Sequence, residues 1–343
     1  MSVINVTPII DITELIASDN VNEGDVILLE EGIYFQTVNV LKNNIRIVAK
    51  GPGVIFDGRS TLLTAFTLPE VSGVVIEGIN IRYYRGDGIL IEFGSGNRII
   101  SNTINNMLNI GIDVMGSRGN LIWKNEICSC LSGIRLTFGG TNNWVIDNVA
   151  KECLENGFET VISPDSNNAF LSNIATRNTL WGFDINGNNN LLLDNSSINN
   201  DQGVLMDVGR DSLTIGNIIM GSKINAHFTP NGYSNNFVSQ NYIECNSREG
   251  IANLGKFGII LDNQISYNSD NGISLAASSI GNLVMNNKLV CNIPKNIVDR
   301  GISNNLINNI DKPCESCESQ KDVCHDRHDK EENGSDGSKE GVN

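Results

Sequence analysis

Asn120-Leu-Ile-Trp-Lys-Asn125-Glu-Ile127 decides the fold, because both of its asparagines recur down the chain. The second heads a column of Asn102, Asn125, Asn148, Asn173, Asn195, Asn217, Asn241, Asn263, Asn287 and Asn309, with steps of 23, 23, 25, 22, 22, 24, 22, 24 and 22 residues. Five residues earlier runs Asn97, Asn120, Asn143, Asn168, Asn190, Ser212, Asn236, Gly258, Asn282 and Asn304. A third column keeps phase with both: Gly88, Gly111, Gly133, Gly157, Gly182, Gly203, Ala226, Gly250 and Gly272. After each Gly comes an apolar-x-apolar unit, such as Ile112-Asp-Val114 or Ile134-Arg-Leu136. Such alternation is the period of a β-strand with one face in and one face out. A unit of this length with two or three short strands cannot bury its own apolar face, so successive units stack as parallel coils. The columns then become ladders about 4.8 Å apart. The expectation is that the ladder Asn itself takes the left-handed turn conformation, and that Gly meets the same need.

This pattern resembles the right-handed parallel β-helix of the pectin-lyase-like superfamily. The N-terminal segment supports the resemblance: an amphipathic stretch from Ile9 to Ser18, then Glu23-Gly-Asp25, Glu31-Gly-Ile-Tyr34 and the Asp57-Gly58 close of a later coil. The resemblance implies an all-β solenoid of about 12 coils, with an N-terminal cap over residues 1–20 and the β-helix over 21–310. The superfamily includes lyases, hydrolases, epimerases, tailspikes and surface proteins, so function rests on side chains.

The residue two after each Gly points outward, giving Leu90, Asp113, Arg135, Glu159, Asp184 and Leu205 as one file. Two residues further on, Glu92, Met115, Thr137, Val161, Asn186 and Asp207 form its neighbour. Asp113, Arg135, Glu159, Asp184 and Asp207 are therefore the candidate catalytic set, with Trp181, Asn186 and Phe138 as candidate substrate contacts. Adjacent coils would hold Glu159 and Asp184 about 5 Å apart, within the range of a retaining glycosidase pair. The acids could instead hold Ca2+, with Arg135 serving a uronate substrate. A solvated, self-compensating salt-bridge ladder is the plain alternative. His227, the one His within the repeats, follows Ala226 at an inward position and reads as buried. The signature motifs of alginate epimerases, pectate lyases and polygalacturonases are absent from the sequence.

About fifty asparagines, a formal charge of −15 and 39 acids against 24 bases argue against nucleic-acid binding. No basic leader with an apolar core and no run of about 18 apolar residues is readable, so neither a signal peptide nor a membrane span is expected. Cys128, Cys130, Cys153, Cys245 and Cys291 read as small buried hydrophobes of a protein made in the reducing cytoplasm. Residues 311–343 carry ten acids and five bases with few apolar groups, the composition of a disordered tail. Within it, Cys314, Cys317, Cys324, His325 and His328 suit inter-chain disulfides or a Zn2+ site, although the spacing matches no standard finger. The leading expectation is a structural or surface-interaction protein, cross-linked to surface-layer partners through these cysteines. Spore coat and exosporium layers are the analogy. The runner-up is a polysaccharide lyase, hydrolase or epimerase, which needs no cofactor beyond the optional Ca2+.

Overall fold

The computed structural model describes residues 1–161, 165–207, 209–313 and 324, and the chain winds as a right-handed parallel solenoid of about 13 turns. A complete turn gives one strand to each of three sheets. In one turn these are Leu121–Trp123, Glu126–Cys128 and Ser132–Thr137. The first, second and third sheets contain 14, 13 and 12 strands. At 4.8 Å per turn the rod is about 60 Å long.

Register carries the apolar pattern inward. Ile76, Ile99, Ile122, Val145, Phe170 and Leu192 stack in one file of the first sheet, all closed to solvent. Each such side chain contributes about 1.5–3 kcal/mol on burial. The N-terminal helix is shorter than its amphipathic stretch, spanning Ile12–Ala17. Asp11 caps it by accepting from the Glu14 amide at 3.0 Å, and Ile12 and Ile16 seal the core. Val3–Val6, placed in the cap by the sequence, pairs with Val26–Leu29 and opens the first sheet. At the other end Ile310–Lys312 is a strand paired with Lys288–Val290, so regular structure runs past residue 310.

The asparagine columns are buried ladders. Asn125 accepts from the Asn102 backbone N–H at 2.9 Å and from the Asn102 amide at 3.0 Å. It donates to the Ile99 carbonyl at 2.9 Å and to Asn148 Oδ1 at 3.0 Å. The left-handed residue, however, is the one before the ladder position: Ser101, Lys124, Asp147, Ser172 and Asp194 have φ of 51–56°. The bend there aims the following Asn inward, where its amide replaces the backbone partners that a turn cannot supply. Glycines of the third column also differ from expectation. Gly88, Gly111 and Gly133 do not have positive φ. A Cβ on Gly133 would lie 2.4 Å from the Gly157 carbonyl oxygen of the next turn, so close approach of coils excludes any side chain.

A third ladder escaped the sequence reading. Asn178 meets Asn200, and beyond Ser222 the series continues through Asn246, Asn268 and Asn292. Earlier turns fill the same slot with Tyr84, Met107, Cys130 and Cys153, which are buried. Where the Asn97 ladder is interrupted by Gly258, Asn236 Nδ2 is left buried without a hydrogen-bond partner.

Candidate functional site

Six-residue strands mark out one region of the third sheet: Ile110–Met115, Ser132–Thr137, Trp181–Asn186 and Gln202–Asp207, with Phe158–Thr160 between them. Their register places Leu90, Asp113, Arg135, Glu159, Asp184 and Leu205 in one file, as the sequence spacing requires. The neighbouring file joins Glu92, Met115 and Thr137, and separately Asn186 and Asp207. Val161 lies just past the end of its strand at Thr160, although its N–H still donates to the Leu136 carbonyl of the preceding turn at 3.2 Å.

Asp113 and Glu159 on this file are closed to solvent, while Arg135 and Asp184 are half-buried. Asp113 is 3% exposed and Glu159 7% exposed, which a surface salt-bridge ladder would not show. Arg135 grips Asp113 with two bonds, Nη2 to Oδ2 at 2.6 Å and Nε to Oδ1 at 3.3 Å. Burial acts to lower the Arg135 pKa, but its bond to Asp113 and the nearby carboxylates raise it overall, so the guanidinium stays charged. Glu159 accepts from Asn156 Nδ2 at 2.6 Å. Burial raises its pKa, against the opposing pull of Asn156 and Arg135. Asp184 takes one bond from Asn186 Nδ2 at 3.0 Å. Burial first, then Glu159 and Asp207, push its carboxyl up to about 7.

Asp87 is a further buried acid that the outward-file rule could not find, since it precedes Gly88. It accepts from the Ile110 amide at 3.0 Å and Asn109 Nδ2 at 2.7 Å. Burial and the charge of Asp113 raise it to about 6.

Apolar groups border the acids. The Trp181 ring lies nearly parallel to that of Phe228, with centroids 6.5 Å apart. Phe138 is exposed on the turn after the file, and Phe93 lies exposed two coils before it. Asn186 is committed to the backbone of Thr160 as well as to Asp184. His227 is wholly buried between Val204 and Ile251, as expected, and neither ring nitrogen has a partner. Burial lowers its pKa to about 4, so it is a neutral core residue rather than a base for this face.

The cysteine expectations change most. Cys245 is disulfide-bonded to Cys324, and Cys291 is disulfide-bonded as well. Both Cys245 and Cys291 occupy left-handed turn positions beside the third ladder, so they are not the buried free thiols read from the sequence. An intrachain partner also removes Cys324 from inter-chain cross-linking and from a Zn2+ ligand set. Cys128, Cys130 and Cys153 are free. Cys314, Cys317, His325 and His328 lie outside the described residues, as does most of the tail read as disordered. Among the described residues, no group of three His, Cys, Asp or Glu side chains is arranged to hold a metal ion, and no helix is long and apolar enough to cross a membrane.

Residues 26–189 match the family model described as right handed beta helix region. No curated protein matches the chain in sequence. Among solved structures, the A-module of a mannuronan C-5 epimerase from Azotobacter vinelandii superposes with a TM-score of 0.61 at 16% identity, covering 88% of this chain and 91% of its own. A DFA-IIIase from Arthrobacter chlorophenolicus gives 0.57 at 13%, covering 89% and 93%. A surface adhesin of Streptococcus pneumoniae gives 0.59 at 14%, covering 88% of each. At such identities the likeness establishes the fold, and two of these three neighbours are carbohydrate-active enzymes.

Proposed function

Since the chain has the fold of the pectin-lyase-like right-handed parallel β-helix proteins, we propose that it works on glycans at the outer face of its third sheet, by acid–base chemistry on a neutral sugar chain. The observation that carries this is the burial of Asp113 and Glu159 on an outward file beside the half-buried Asp184, whose carboxyl is raised to about 7. Two neighbouring carboxyls pushed into different protonation states are the usual arrangement of a glycoside-cleaving pair. Asp184 is the proton donor. Glu159, raised by burial but drawn back by Asn156 and Arg135, takes the role of ionised partner in this proposal.

On adjacent turns the two strands lie about 4.8 Å apart, which suits the roughly 5–5.5 Å separation of a retaining pair. Asp184 would give its proton to the glycosidic oxygen while Glu159 bonds to the anomeric carbon. Water, losing a proton to Asp184, would then release the sugar and restore both carboxyls. Phe138, which is exposed, supplies an apolar face for a sugar ring, whereas Trp181 is buried against Phe228 and backs the site.

A uronate substrate is the weaker fit. Arg135 already gives its Nε and Nη2 to Asp113, and the surrounding acids repel a second carboxylate. Disulfide bonding at Cys245 and Cys291 supports action in an oxidising compartment such as a cell or spore surface. The same bonds weaken the purely cross-linked structural reading, because Cys324 is satisfied within its own chain.

Reducing-sugar release from a panel of neutral polysaccharides tests the proposal. The wild type should cleave at least one, and Asp184→Asn and Glu159→Gln should each lose about 100-fold or more. Release by the wild type that both variants retain, or none from any member of the panel, would overturn it.

A further inference from the structure

A second site lies on another face of the rod. The second sheet carries two outward files over its C-terminal turns, Tyr242, Gln264 and Lys288, and beside them Glu244, Ser266 and Val290. Between them is a hollow of about 190 Å³ bordered by Tyr242, Gln264, Ser266, Tyr267, Lys288 and Val290. Glu244 does not line it but lies behind Tyr242 and Ser266, and is 1% exposed although it belongs to an outward file. It accepts from Tyr242 Oη at 2.6 Å and from Ser266 Oγ at 3.4 Å. The hollow is also built against a cross-link. Cys245, one residue after Glu244, is bonded to Cys324, and Cys324 Sγ lies 3.9 Å from the Tyr267 carbonyl.

We propose that this hollow binds a single neutral sugar ring. Its volume equals that of about six water molecules at roughly 30 Å³ each, well under the roughly 300–1,000 Å³ of sites for larger ligands. Two tyrosines offer ring faces to the C–H side of a sugar. The Gln264 amide both donates and accepts, Ser266 does the same, and Lys288 donates only. Such a set, close together beside the buried Glu244 side chain, matches a ring of hydroxyls that are each donor and acceptor. An anion would find an acidic side chain just behind Tyr242 and Ser266, and a purely apolar ligand would strand Gln264 and Ser266. The site is separate from the acids of the third sheet, so it holds a glycan without cleaving it.

Ligand-observed saturation-transfer NMR on the full oxidised chain, with glucose, galactose, mannose and fructose as probes, is the test. At least one hexose should bind. Gln264→Ala and Lys288→Ala change exposed side chains and should each weaken binding about fivefold, the worth of one hydrogen bond, with circular dichroism unchanged. Asp184→Asn should leave binding intact, which separates this site from the proposed catalytic face. Absence of binding by all four hexoses would overturn the proposal, as would binding that survives both second-sheet substitutions or disappears in Asp184→Asn.

Discussion

Replacing Asn125 by Ala removes the centre of a ladder without touching the apolar core. Its side chain satisfies the buried Asn102 N–H and the Ile99 carbonyl, both in the preceding turn. No water can reach either group, since Asn102 and Asn125 are each 1% exposed and Ile99 is fully buried. Each orphaned buried group costs about 1–3 kcal/mol, so the substitution should cost about 2–5 kcal/mol. Lys124 is the internal control. It holds the left-handed conformation at φ 56° and makes no ladder bond, so Lys124→Ala should change little, and Lys124→Gly should stabilise by about 1 kcal/mol. Urea unfolding followed by circular dichroism reads all three, provided the denaturant slope is shared. The ladder account fails if Asn125→Ala costs under about 1 kcal/mol or no more than Lys124→Ala.

Other consequences follow from the same contacts. His227 has a folded-state pKa of about 4 against 6.5 when free. The unfolded chain therefore binds the extra proton, and stability should fall as pH drops from about 6.5 towards 4, by up to about 3 kcal/mol. His227→Val should abolish that part of the acid loss, which thermal melts across this pH range would detect. Gly133→Ala sets a Cβ against the Gly157 carbonyl, whereas Gly119→Ala meets nothing within 4 Å. The first should therefore lower the melting temperature far more than the second, whose cost is the positive φ alone, about 1 kcal/mol. Reducing the Cys245–Cys324 bond opens a 79-residue separation, worth about 4 kcal/mol in a chain-entropy treatment. Unfolding with and without reductant, using Cys245→Ser with Cys324→Ser as the matched variant, checks that figure.

Much of this architecture was legible because one physical need repeats. A fixed step of 22–25 residues put Asn102 to Asn309 on one edge, and the two-residue offset from Gly placed Asp113, Arg135, Glu159 and Asp184 on one outward file. Backbone detail was not legible. Lys124, Asp147 and Asp194 bend left-handed ahead of the ladder; Asp tolerates that conformation, but the Lys and Ser at other turns of the same column hide the pattern. The third ladder was hidden because Tyr84, Met107, Cys130 and Cys153 fill its slot in early turns, so an asparagine column seems to start midway. Depth of burial was also invisible. An outward file in a parallel sheet is expected to be wet, and only packing by neighbours encloses Asp113 and Glu159. Asp87 was missed since it lies before Gly88 rather than two residues after its column. Disulfide pairing could not be read either, because Cys245 and Cys324 are brought together by the winding of the chain and not by spacing.

The central claim is that the Asp184 carboxyl keeps its proton close to neutral pH because burial and Glu159 disfavour its charge. Titrating Asp184 by site-specific carboxyl NMR, in the wild type and in Glu159→Gln, measures this without knowledge of any substrate. A midpoint near 7 that falls when Glu159 loses its charge is the predicted result. A midpoint near 4 in the wild type, the value of a solvated aspartate, would contradict it and return the file to a surface ladder.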